Sequence, residues 1–92
     1  MSQKKSGGGP EDPVVVVAAF VDSIKARHPF IQVRLLSEQA IANAGSHKEL
    51  AEEYLGAAHR AVEAIEDKQL QMEAFTAYYR KAQFEICDLE NI

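Results

Sequence analysis

Residues 14–21 read "VVVVAAFV": eight apolar residues in a row, closed by Asp22. This run constrains the chain more than any other stretch. It can serve as a membrane span, a buried strand or the apolar face of a helix. A spanning helix needs about 20 apolar residues, so the run is too short for a membrane. A secretory signal is also disfavoured, because a long polar stretch precedes the run and no small-residue cleavage site follows it. Four valines favour a strand by propensity. A strand needs a partner, however, and later windows are rich in the helix formers Ala, Glu, Gln, Leu and Lys.

The spacing decides between strand and helix. Val14, Val17, Val21, Ile24 and His28 advance by 3, 4, 3 and 4 positions, and Val16 and Phe20 widen the same face. Asp12 can cap and Pro13 suits the first helical position, where its missing N–H costs nothing. Pro29 disfavours helical backbone at His28, which sets a stop. The first expected helix covers 13–28.

Three more helical patterns follow. Over 30–44, Ile31, Leu35 and Leu36 form the main apolar cluster, and Gly45 suits a left-handed helix end. "SHKE" at 46–49 reads as a capping box that starts the next helix. Ala51, Leu55, Ala58, Val62 and Ile65 then make one seam, and Met72, Phe75, Tyr79, Ala82, Ile86 and Leu89 another. The expected helices are about 47–66 and 69–90. "EDKQ" at 66–69 holds no Gly, Pro, Asn or Ser, which favours one continuous helix over a hairpin. The fold class is all-α, a small helical bundle spanning 12–92. Residues 1–11, "MSQKKSGGGPE", lack the apolar side chains that offset ordering entropy and are expected to be a flexible tail.

At 92 residues the chain makes a single domain with modest stability, so self-association is a natural source of further burial. The one cysteine, Cys87, excludes an internal disulfide and suits a reducing, cytoplasmic setting. The net charge of −4 gathers in the second half, which repels phosphate. Nucleic acid and anionic membrane are disfavoured as partners.

Few constellations suggest chemistry. His59, with Glu52, Glu63 and Glu66 at helical spacing, resembles a metal site in composition. Its residues face away from the seam, so a solvated His59–Glu63 pair is the better reading. His28 is expected to meet the last carbonyls of the first helix, and His47 to face solvent. Cys87 has Glu85, Asp88 and Glu90 for neighbours, which oppose a reactive thiolate. No catalytic triad, metal knuckle or phosphate loop occurs, so no enzyme activity, metal or cofactor is expected. Residues 36–56 resemble a helix-turn-helix in layout, but Glu49, Glu52 and Glu53 give the reading helix the wrong sign for DNA.

One feature points to an interaction. Leu70, Ala77 and Phe84, seven residues apart, form a second stripe opposite the last seam, with Tyr78 on its rim. The expected function is a non-enzymatic protein–protein interaction module, an adaptor, assembly subunit or inhibitor that packs helices and self-associates. A nucleic-acid-linked regulator and a metal-binding bundle are the alternatives.

Overall fold

A computed structural model describes the backbone of residues 12–91 and the side chains of residues 12–86. The 1–11 tail and the side chains of Cys87 and Leu89 lie outside these. The described chain is entirely helical and turn, with no strand among the described residues. It holds α1 (Pro13–Ile24), α2 (Pro29–Asn43), α3 (Lys48–Ala64) and a fourth rod. The rod comprises α4 (Lys68–Ala74), a π turn (Phe75–Tyr79) and α5 (Arg80–Asn91).

Two helices start by the same device. At Asp12–Pro13 the carboxylate accepts from the Val14 N–H at 2.9 Å. At His28–Pro29 the imidazole Nδ1 accepts from the Phe30 N–H at 3.0 Å. In both, a side-chain acceptor satisfies an orphan donor and proline takes the first helical position. His28 therefore caps the second helix instead of ending the first, and α1 stops at Ile24, four residues short of the expected His28.

The α2–α3 link also departs from expectation. His47, not Ser46, is the N-cap of α3, and its side chain makes no capping bond. The Ser46 hydroxyl turns to His47 Nδ1 at 3.0 Å, so the "SHKE" box does not form. Gly45 is not in the left-handed region, and a Cβ there would meet nothing within 4 Å.

The stretch 47–90 is not one helix. Ile65 takes extended backbone (φ −75°, ψ 122°), and so does Asp67 (φ −73°, ψ 117°). Asp67 Oδ1 then accepts from the N–H groups of Gln69 at 2.9 Å and Leu70 at 3.0 Å. Aspartate is as good a cap as asparagine or serine, so the breaker was present in "EDKQ". Gln71 secures the corner by donating from Nε2 to the carbonyls of Val62 at 2.9 Å and Ile65 at 3.3 Å. Replacing Asp67 with alanine is expected to cost about 1 kcal/mol by orphaning two donors. Chemical denaturation would show it, and an unchanged midpoint would mean that the corner stands on Gln71 alone.

The α2–α3 pair is the centre of the fold. The start of α2 (Pro29) and the end of α3 (Ala64) line one cavity, so the two helices run antiparallel. This head-by-tail layout is a helical hairpin. The core contains Val33, Leu36 and Ala40 of α2, Ala51, Ala58 and Val62 of α3, then Ile65. From the expected α2 cluster only Leu36 is fully buried, while Ile31 and Leu35 flank the core. Ser37 is also buried, and its hydroxyl has no hydrogen-bond partner.

α3 buries a second stripe, Tyr54, Ala57 and Ala61, and α1 packs on α3 mainly, through Val17 and Ile24. The fourth rod packs against α2 and α3, burying Ala74, Tyr79, Ala82 and Ile86. Among the described residues, α1 does not touch the rod. The result is a flat bundle, 48 × 35 × 15 Å, with α1 and the rod on separate flanks.

Candidate interaction surface

The flat layout leaves a groove of about 480 Å³ beside α1. One wall is α1, through Val14, Val17, Ala18 and Val21. The other is α3, through Ala57, Ala61 and Ala64, with Glu53 and Arg60 at its edge. Leu36 and Gln32 of α2 contribute between them. Alanines keep the walls low, so the space between the helices is not filled from within. Gln32 Nε2 donates to the Arg27 carbonyl at 2.7 Å, tying α2 to the turn that leaves α1.

The α1 wall ends in an exposed ion pair, Lys25 to Asp22 at 3.0 Å. Such a pair is worth little to stability. Elsewhere α1 is held by aromatic contact, with the Phe20 ring edge-on to Tyr54 at 5.5 Å. Burial raises the Tyr54 pKa, because the phenolate would lose its hydration. The fold therefore favours the neutral phenol. That contribution is complete below the unfolded value near 10 and is lost as pH rises through the folded one.

Val14 was expected on the buried face of α1. It is 55% exposed, and Val15 is 59% exposed. α1 meets a single principal neighbour, so its buried stripe is narrow and the rest of the valine run faces outward. The sequence shows this run plainly, but not the groove, which arises from the relative placement of two helices.

The rod carries the expected Leu70–Ala77–Phe84 stripe, but does not keep it together. Leu70 is half-buried against the core. Tyr78 is half-buried as well, its ring edge-on to Phe30 at 5.6 Å. Ala77 and Phe84 face outward, with Phe84 59% exposed beneath the Arg80 guanidinium at 5.9 Å. The seam is altered too: Met72, expected in it, is 64% exposed, and Ala74, not expected, is fully buried.

The π turn explains both changes. The Arg80 N–H bonds to the Phe75 carbonyl, five residues back, and the Phe75 N–H is shared between the Gln71 and Met72 carbonyls. The Thr76 hydroxyl donates to the Met72 carbonyl at 3.0 Å. One extra residue in the turn rotates the preceding half of the rod by about 100°. Consecutive buried positions Ala74 and Tyr79 are accordingly five apart.

His59 lies 3.9 Å from Glu63 through Nδ1, and its ring packs 5.5 Å from that of Tyr79. Among the described residues, no group of three or more His, Cys, Asp or Glu side chains could hold a metal ion. No described helix is long and apolar enough to cross a membrane.

The chain is thus an all-α helical bundle of flat shape. No family model, no curated protein and no solved structure matches it.

Proposed function

We propose that this chain is a non-enzymatic interaction module that works by packing helices, and that it self-associates through α1. The observation that carries this reading is the outward Val14–Val15 face beside the open α1–α3 groove. Exposed apolar groups beside a concave apolar surface are a usual mark of an interface. A second copy supplies a suitable helix: α1 is 12 residues long, apolar, and carries the small residues Ala18 and Ala19. Pairing the same face on both copies closes the assembly at a dimer. Ala77 and Phe84, outward on the rod, form a second, smaller surface for a protein partner. A cytoplasmic setting fits the single cysteine.

Light scattering tests the reading. The wild type is expected to exceed its 10.2 kDa chain mass at micromolar concentration. Ala18→Glu, at an exposed position on the groove wall, is expected to return it to the monomer with little change in melting temperature. A wild type that stays monomeric at high concentration would remove self-association from the reading.

A further inference from the structure

We infer that the π turn is a register slip: residues 68–74 can rotate against the core by one residue, converting the turn to α-helix. The sequence contains two patterns for this rod. With the π turn, the buried positions are Ala74, Tyr79, Ala82 and Ile86. Without it, an unbroken helix aligns Met72, Phe75, Tyr79, Ala82 and Ile86, in steps of 3, 4, 3 and 4. The second pattern is complete in the chain, yet its first member lies 64% exposed.

The two registers differ little in what they bury. Slipping takes Leu70 and Ala74 outward and brings in Met72 and more of Phe75. One long apolar side chain replaces another. The movement needed is about 100° of rotation and about 1.5 Å of translation. The non-helical link at Ile65–Glu66 can absorb it, since neither residue is helical. Asp67 caps its own helix and travels with it.

One side chain holds the present register. Gln71 reaches across to the carbonyls of Val62 and Ile65, bonds that a rotated α4 cannot keep. Gln71 is a latch in this scheme. Its release has a consequence for the outer surface: Leu70 leaves the core and falls into line with Ala77 and Phe84. The stripe that the π turn divides becomes continuous in the slipped state. A helix bound along it would select that state, as any ligand selects the conformer it prefers.

The test uses the full chain with 13C-methyl methionine and backbone 15N labels. In the wild type the Met72 methyl is expected to be open to a soluble paramagnetic probe. Relaxation dispersion is expected at residues 68–79 and absent in the centres of α2 and α3, with a slipped population on the order of 0.1–10%. Gln71→Ala is expected to raise that population several-fold and to shield Met72 in proportion. Deleting Thr76 removes the extra residue while leaving Ala74 and Tyr79 on one face, so this variant is expected to fold cooperatively with the dispersion gone. Flat dispersion in both the wild type and Gln71→Ala would overturn the inference. So would unfolding of the Thr76 deletion, since the two halves would then not be related by one inserted residue.

Discussion

Leu36→Ala is expected to lower the unfolding free energy by roughly 2–5 kcal/mol, the usual cost of truncating a buried leucine. Leu36 is 1% exposed and is the largest fully buried side chain among the described residues. It stands on α2, the helix that meets every other element of the fold. Its loss removes packing from the α2–α3 pair, on which both flanks depend. The position also lines the groove, so some of the space left behind opens to water and the cost should fall in the lower half of that range. For a domain of this size the whole stability is only about 4–12 kcal/mol. The melting temperature should therefore fall by roughly 8–28 °C, given about 4–8 °C per kcal/mol. Leu35→Ala is the control. That side chain is half-buried at the edge of the core, and its truncation should cost less than about half as much. Urea titration at constant m-value measures both. Equal losses at the two positions would show that α2 is rotated from the orientation described.

The contrast between these neighbours was invisible in the sequence. Ile31, Leu35 and Leu36 are equally apolar, and nothing in them says that Leu36 alone faces both α1's groove and the core. Val33 and Ala40 complete the buried face, but alanine is at home on either side of a helix and gives no signal. The helices themselves were legible. Asp12–Pro13 marked the start of α1, and 3-4 spacing turned a valine run into a helix. His28–Pro29 carries the same mark, and a proline after a helical pattern is compatible both with a stop and with the first residue of a new helix. Asp67 is likewise a cap, since aspartate can start a helix as well as the Gly, Pro, Asn or Ser that "EDKQ" lacks can end one. The "SHKE" signal misled for the opposite reason: its residues fit a capping box, and the chain turned one residue later.

The candidate site was legible in part. Its exposed members Ala77 and Phe84 were placed outward from spacing alone. Leu70 and Tyr78 are read as outward by the same spacing but lie half-buried, because heptad counting assumes a constant twist and a π turn adds a residue without any sequence mark. The groove was beyond reach for another reason. Each wall is an ordinary helix face, and the space exists only because α1 and the rod flank the central pair instead of closing over it.

Ala58→Leu is expected to destabilise the fold by about 1–3 kcal/mol, the cost of forcing extra methylenes into a filled site. Ala58 is 0% exposed, and Ala51 on α3 and Ala40 on α2 are likewise 0% exposed. Small side chains let two backbones approach closely, and that approach leaves no room for a γ-branched residue. Hydrophobicity argues the other way, since leucine would bury more apolar surface than alanine. Packing should win here, because a fully enclosed site can gain burial only by moving a helix. Ala64→Leu separates the two effects. Ala64 is on the same helix but exposed, on the wall of the groove. Leucine there meets open space, so stability should change by no more than about 0.5 kcal/mol. The same side chain would narrow the groove and weaken self-association in light scattering. A tolerated Ala58→Leu would mean that α2 and α3 are held apart by something other than their alanines. A costly Ala64→Leu would mean that the groove is closed in solution.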